Sequence, residues 1–189
     1  MKHLATFAIG AVLATTLTLP AGAVEYKAIQ PEKSKVTFQY KQMGVGMDGQ
    51  FKKFVAQLNF DPAKPAAAQA QIEIDLSSID AGSSEADDEV VGKTWFNVKA
   101  FPKATFVTRQ IKSIGANQFE VTGALTIKGK SQDIKLPLKY AAQGSAGVFS
   151  GSFVIHRADF SIGEGMWAKF DVVANDIQVN FQLTAIPGK

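Results

Sequence analysis

The chain has 189 residues, with 20 basic and 17 acidic side chains and no cysteine. Its basic residues are scattered singly, without the clustered patch that nucleic-acid binding requires, so no nucleic-acid partner is expected. A chain without cysteine cannot form disulfides or bind metal through thiolate, so its fold must be held by an apolar core.

The first 23 residues have the pattern of a secretory signal peptide. Lys2 and His3 give a basic start, residues 4–19 are largely apolar, and Ala21-Gly22-Ala23 supplies a small-x-small cleavage site. The apolar run is too short and too often interrupted for a membrane-spanning helix. We therefore expect a signal peptide at 1–23 and one exported domain at 24–189, located in the periplasm, with secretion as the alternative.

Alternating apolar and polar residues predict strands in the first half of the mature chain, at 36–41, 54–60 and 70–76. Three glycines, Gly44, Gly46 and Gly49, predict a turn between the first two strands. Residues 83–97 break the alternation. A serine there can cap a helix, acidic residues crowd the first turns, and apolar residues recur at helical spacing, which predicts a short helix with an irregular end.

The second half returns to alternation, which predicts strands at 104–111, 119–127, 134–140, 151–157 and 177–185. Lys128-Gly129-Lys130 predicts a tight hairpin, and residues 143–147 predict a loop. Eight strands in near-consecutive order predict an all-β fold, an eight-stranded antiparallel up-and-down barrel with a short helical insertion around residues 83–97. A sandwich is the alternative, but closure into a barrel removes exposed sheet edges.

No motif in the sequence predicts catalysis, a metal site or a nucleotide site. Gly44 to Gly49 matches G-x-G-x-x-G, but a strand follows it where a dinucleotide site needs a helix. His156 is the one histidine of the mature chain, and a lone histidine without cysteine does not build a typical zinc site. The acids between Glu85 and Glu89 fit a solvated helix start, and no nucleophile elbow occurs. We therefore expect no enzyme activity and no cofactor.

The aromatic residues carry the remaining signal. Alternation places seven phenylalanines on the inward face: Phe38, Phe54, Phe60, Phe106, Phe119, Phe153 and Phe181. An eight-stranded barrel can be filled by its side chains or can hold a ligand, and the number of strands does not decide between these. An outer-membrane barrel is disfavoured because charged residues would crowd so small a lumen.

Five stretches resemble the YceI-like family of exported, lipocalin-like lipid-binding proteins, and they occur in family order across most of the mature chain. They are Asn59-Phe60-Asp61-Pro62 with Pro65; Ile74-Asp75-Leu76-Ser77-Ser78-Ile79-Asp80-Ala81-Gly82; Trp95-Phe96-Asn97 with Phe101-Pro102-x-Ala104-Thr105-Phe106; Val121-Thr122-Gly123-x-Leu125-Thr126-Ile127-x-Gly129; and Arg157-x-Asp159-Phe160-x-Ile162-Gly163.

The resemblance implies a lipocalin-like barrel whose long apolar cavity binds a polyisoprenoid or another long-chain amphiphile, in a protein that is not an enzyme. The chain departs from the family pattern at Lys33 and Gln42, where histidines are usual, and at 86–88, so the ligand's head group stays open. Gly163-Glu164-Gly165-x-Trp167 resembles a subfamily found beside membrane cytochrome b-type proteins, which implies an isoprenoid quinone.

We therefore expect a carrier that sequesters or shuttles a long-chain lipid, with transient membrane contact. The alternative is a solid-core interaction module or accessory subunit of a cytochrome b-type membrane enzyme. The sequence leaves the oligomeric state open. The predicted cavity-lining residues are Phe38, Tyr40, Phe54, Leu58, Ile74, Trp95, Phe96, Phe106, Phe119, Leu125, Leu136, Phe153, Ile155, Trp167 and Phe181.

Overall fold

Eleven strands and one short α-helix make up most of residues 24–188, the part of the chain that the computed structural model describes. The predicted signal peptide lies outside the described residues. The strands are β1 Tyr26–Ile29, β2 Lys35–Gln42, β3 Val45–Phe51, β4 Phe54–Phe60, β5 Gln69–Asp75, β6 Ile79–Asp80, β7 Lys103–Gly115, β8 Gln118–Ile127, β9 Lys130–Gln143, β10 Ala146–His156 and β11 Asp176–Pro187; the helix is α1, Ser84–Val90.

These strands form one closed antiparallel barrel. The order β1-β4-β5-β7-β8-β9-β10-β11 returns to β1, because β1 also pairs with β11. The N-terminal half of β11 pairs with β2 instead. Strand β2 in turn pairs with β3, and β3 pairs with β6. The pairs β1/β2, β3/β4 and β5/β6 are therefore three interrupted barrel strands, and the count is eight. The predicted all-β, eight-stranded antiparallel barrel is confirmed.

The breaks in these three barrel strands have local causes that the alternation of apolar and polar residues does not reveal. Pro31 opens a short 3-10 turn between β1 and β2, since proline has no N–H to give to a strand ladder. The predicted turn over the three glycines is wrong in extent. Met43 and Gly44 alone form it, with φ of 50° and 80°, while Gly46 and Gly49 lie in β3.

The predicted helix is real but shorter than expected. Helix α1 begins after Ser83, whose hydroxyl accepts a hydrogen bond from the Ala86 N–H at 3.2 Å. It ends at Val90, and Gly92 then donates to the Glu89 carbonyl in a tight turn. Residues 91–102 continue as turns, because glycine opposes a helix at 92. The segment from Ala81 to Pro102, which we call the insertion, lies between β6 and β7.

The tight hairpin at Lys128-Gly129 is present, with both residues at positive φ, as a type I′ hairpin turn requires. The predicted seventh strand is wrong at its end, because β10 stops at His156 and Arg157 opens a 3-10 helix. Residues 157–175, which we call the cap loop, connect β10 to β11 across one end of the barrel.

Candidate functional site

The barrel encloses a cavity of about 220 Å³. Every strand except β1 contributes to its wall, and the wall side chains are apolar except for those of Tyr40, Thr108 and Arg157. A void needs only about 10–15 Å³ to hold one water molecule, so this space is far larger than a packing gap. An apolar cavity of this kind is suited to a hydrocarbon chain rather than to water or an ion.

Several aromatic rings of the barrel pack over glycines of the neighbouring strand, which helps to leave the interior hollow. Phe38 is directly opposite Gly49, and Phe181 is directly opposite Gly151. The ring of each phenylalanine occupies the space that a Cβ on its glycine would need. Covering a glycine in this way keeps the ring against the wall, so that it does not project into the centre.

We predict that Gly151→Ala destabilises the protein by about 1–3 kcal/mol, the usual cost of overpacking. The new Cβ would collide with the Phe181 ring and with the Pro137 carbonyl oxygen, which is backbone and cannot turn aside. Urea denaturation measures the loss. Gly46→Ala is the matched control, because no atom lies within 4 Å of its Cβ position. Equal stability of the two variants would contradict this packing.

Five aromatic rings close one end of the cavity. Tyr26, Phe60, Phe119, Tyr140 and Phe149 pack with ring centroids 5.0 to 5.8 Å apart. Inside this aromatic plug the hydroxyls of Tyr26 and Tyr140 are 2.8 Å apart and share a hydrogen bond. Burial, reinforced by the bond to Tyr26, raises the pKa of Tyr140 to about 12. The cavity therefore has a sealed end.

The raised pKa of Tyr140 predicts a loss of stability at alkaline pH. An unfolded tyrosine deprotonates near pH 10, whereas folded Tyr140 keeps its proton to about pH 12. Its stabilising contribution is complete below pH 10 and is lost as the pH rises from 10 to 12. Stability measured against pH should show this decline in the wild type and a smaller one in Tyr140→Phe. An equal decline in the stability of the wild type and of Tyr140→Phe above pH 10 would show that Tyr140 does not cause it.

The opposite end is covered by the cap loop, which Arg157 holds. Its side chain is 1% exposed, and its guanidinium lies 5.5 Å from the Trp95 ring and 5.1 Å from the Phe170 ring. Burial lowers the pKa of Arg157. The five N–H groups of the guanidinium make six hydrogen bonds of 2.7 to 3.2 Å, one N–H being shared between two acceptors, to the backbone carbonyls of Ile162, Gly163, Trp167, Lys169, Val173 and Ala174.

The cap loop is also attached to the insertion. The Trp167 indole N–H donates to Glu89 Oε1 at 2.8 Å, and the N–H groups of Gly163 and Glu164 both donate to the Thr94 carbonyl. On the other side, the Lys128 ammonium donates to the Ser161 carbonyl and pairs with Glu164 at 2.8 Å. The cap loop and the insertion therefore cover the cavity as one connected layer.

A lateral seam interrupts the wall between β9 and β10. The two strands pair only between residues 139–143 and 146–150, although both continue toward the cap loop. Pro137 lies just beyond the last pair, and proline cannot donate to a ladder. Phe153 and Ile155 of the cavity wall are only half-buried beside this seam.

Twelve of the fifteen predicted residues lie in the cavity wall; their contact with a ligand stays a prediction. The twelve are Phe38, Tyr40, Leu58, Ile74, Trp95, Phe96, Phe106, Leu125, Leu136, Phe153, Ile155 and Phe181. The other three lie outside it. Phe54 borders a surface groove where β4 begins, Phe119 belongs to the aromatic plug, and Trp167 lies on the cap loop against Trp95.

Several wall residues escaped the sequence prediction. Val36 and Val179 alternate with Phe38 and Phe181, so the inward register could have identified them. Arg157 borders the cavity as well, but an arginine in an alternating stretch gives no signal of burial. Within 24–188 no helix is long and apolar enough to cross a membrane. In the same residues, no three His, Asp or Glu side chains gather as metal ligands would.

Comparisons with known proteins agree on the kind of protein that the chain resembles. A family model described as a YceI-like domain matches residues 27–185. A UPF0312 protein of Enterobacter sp. (strain 638) is 32% identical over 170 residues, which is 85% of this chain and 86% of that protein. BcnA of Burkholderia cenocepacia, a crystal structure, is 44% identical with a TM-score of 0.81, covering 83% of this chain and 99% of BcnA.

A more distant structure shares the fold. It is a polyisoprenoid binding domain from Saccharophagus degradans implicated in plant cell wall breakdown. The two chains are 18% identical with a TM-score of 0.67, over 87% of this chain and 99% of that domain. At this identity the likeness shows a common barrel architecture.

Proposed function

The chain belongs to the YceI-like family, and from that premise we propose that it is a periplasmic binding protein that sequesters or shuttles a long-chain apolar ligand in its barrel. The apolar cavity is the observation that carries this proposal. Its wall runs from the aromatic plug to the cap loop, which suits a polyisoprenoid, an isoprenoid quinone or a fatty amphiphile. The polyisoprenoid binding domain of Saccharophagus degradans, which shares the fold, supports the same class of ligand.

The energetics favour a carrier. Burying one methylene is worth about 0.8 kcal/mol relative to water, so a long prenyl or acyl chain cannot cross an aqueous compartment unshielded. Relative to a bilayer the apolar cavity gains almost nothing, because lipid tails are already apolar. Exchange that is nearly neutral in free energy lets a carrier load at one membrane and release at another.

Location and membrane contact belong to the same proposal. The signal-peptide pattern of residues 1–23 supports export to the periplasm. Large apolar side chains are exposed around the cap loop, with Met166 84% and Met43 74% exposed, and the Met43 N–H bonds the Val172 carbonyl. These side chains suit transient contact with a membrane. We propose no catalytic role, in keeping with a family of binding domains.

Transfer from vesicles tests the proposal. Protein purified without detergent is mixed with phosphatidylcholine vesicles that contain a prenyl quinone, the vesicles are removed, and lipid in the protein fraction is quantified. We expect about one quinone per protein chain when the vesicles supply excess. A protein fraction free of lipid would contradict the carrier and leave a solid-core interaction module, or an accessory subunit of a membrane enzyme.

We predict that lipid enters where the cap loop meets the insertion. Thr94→Cys with Glu164→Cys would join the two segments, which already share a backbone hydrogen bond of 2.8 Å. The chain has no native cysteine, so the added pair would be the only thiols. Uptake should slow at least about tenfold when the pair is oxidised, which corresponds to an increase of about 1.4 kcal/mol in activation free energy. It should recover on reduction. Unchanged uptake would contradict entry at this place and would indicate entry through the seam between β9 and β10.

A further inference from the structure

The barrel wall has a gap where its first two interrupted strands break. Pairing of β1 with β4 ends at Ala28 and Gln57, and pairing of β2 with β3 begins at Val36 and Phe51. Between these pairs no ladder of the described residues joins the two barrel strands. The surface groove where β4 begins lies at this gap, and we call it the basic groove.

Positive charge is concentrated in the basic groove. Four lysines and two carboxylates line it, so its net charge is +2; they are Lys35, Lys52, Lys53, Lys103, Glu73 and Asp75. Phe51 and Phe54 line it as well. Apolar side chains beside an excess of one charge strengthen the field that the charges create, so the groove attracts anions.

The two carboxylates of the basic groove already have partners. Glu73 accepts a hydrogen bond of 2.7 Å from the Lys103 ammonium, and this bond lowers the pKa of Glu73. Asp75 accepts from the N–H and from the hydroxyl of Ser77. These two bonds, with the nearby charge of Lys53, lower the pKa of Asp75. Both groups are therefore engaged within the protein.

Two of the lysines, in contrast, have no carboxylate partner. Lys52 pairs with Asp80 at 3.0 Å, but Lys35 and Lys53 form no salt bridge with any carboxylate of residues 24–188. They lie on opposite rims of the gap, Lys35 at the start of β2 and Lys53 just before β4. An anion in the groove therefore meets an unpaired ammonium group on each side.

We propose that the basic groove is a binding site for a phosphate group, held between the ammonium groups of Lys35 and Lys53. A lysine ammonium is a compact charge with three donors and is a common partner of phosphate. The oxygens of a phosphate point in several directions, so it accepts from both rims at once. The phosphate belongs to a membrane phospholipid or to a free small molecule. Neither lysine lines the barrel cavity, so this site is separate from the proposed lipid site.

Binding of inorganic phosphate tests the site. Phosphate replaces chloride at constant ionic strength, and a proton–nitrogen spectrum follows the backbone N–H signals of Ser34 and Phe54, which line the groove. These signals should shift in the wild type. Lys35→Gln combined with Lys53→Gln should weaken phosphate binding at least about tenfold, because hydrogen bonds from charged donors are among the strongest in proteins.

The matched control variant combines Lys112→Gln with Lys139→Gln. Both lysines are exposed, lie outside the basic groove and form no salt bridge within residues 24–188, so the variant loses the same charge. It should bind phosphate as the wild type does. Equal phosphate affinities of the two double variants, or groove signals that do not respond to phosphate, would overturn the site.

Lysines beside an unpaired strand edge also deter pairing with other chains. If the variant of Lys35 and Lys53 self-associated without losing phosphate affinity, the lysines would protect the edge of the gap, and the proposed site would be overturned.

Vesicles identify the source of the phosphate. The two double variants are sedimented with phosphatidylglycerol vesicles. If a phospholipid supplies the phosphate, the variant of Lys35 and Lys53 should bind at least about tenfold more weakly than the control variant. If both bind vesicles equally but differ in their affinity for inorganic phosphate, the site takes a free phosphate compound. Quinone uptake from phosphatidylcholine vesicles should be unchanged in both variants, so failure of this site and failure of the carrier function are distinguishable.

Discussion

Arg157→Ala should destabilise the protein by about 3–5 kcal/mol, because six backbone carbonyls lose their donor at once. Each buried carbonyl left unpaired costs about 1–3 kcal/mol, but these costs do not add fully, since an opened cap loop can hydrate some of them. The expected loss is a large share of the 5–15 kcal/mol that is typical of a whole domain. Urea denaturation measures it.

Two further substitutions make the result specific. Arg157→Lys should recover less than half of the loss, because an ammonium has three donors and a guanidinium has five. The only other arginine, Arg109, forms an exposed pair with Asp133, so Arg109→Ala should cost less than about 1 kcal/mol. If Arg157→Ala also lost less than about 1 kcal/mol of stability, the cap loop would not depend on the guanidinium.

Ala70→Trp should abolish lipid uptake while the protein stays folded. Ala70 is the small side chain of its stretch of wall, directly opposite Leu58 on β4. In a hollow barrel a new indole enters the cavity and buries apolar surface. In a barrel with a filled core the same change overpacks the interior and costs about 1–3 kcal/mol. Lipid uptake and urea denaturation, measured together, therefore separate the carrier from the solid-core module.

Val107→Trp is the matched control. Val107 is on the neighbouring strand β7, opposite Gln71, and its side chain is 42% exposed on the outer face. The indole there adds the same bulk outside the barrel, so lipid uptake should be retained. If Ala70→Trp binds lipid as well as Val107→Trp does, the ligand is not inside the barrel.

Much of the fold could be predicted from local patterns. Strict alternation over residues 177–185 placed Val179 and Phe181 on one face, and both line the cavity. Ser83 marked the start of α1 because its side chain caps the helix. These features depend on a few neighbouring residues, which is why the sequence alone can indicate them.

The cavity could not be predicted in this way. Alternation says which side chains face inward, but it does not say how far they reach. The cavity depends on the register in which neighbouring strands pair. Phe38 pairs with Gly49, and Phe181 pairs with Gly151. Arg157 escaped prediction for a similar reason. Its partners are carbonyls of a loop up to 17 residues away, and no side-chain pattern in the sequence marks them.

Native mass spectrometry of the wild-type protein, produced in cells with its own export signal and purified without detergent, tests the hollow barrel most directly. We predict a mass increased by one long-chain lipid, released on activation, alongside a bare mass for Ala70→Trp. A bare wild-type mass that stays bare after incubation with prenyl-quinone vesicles would contradict the account.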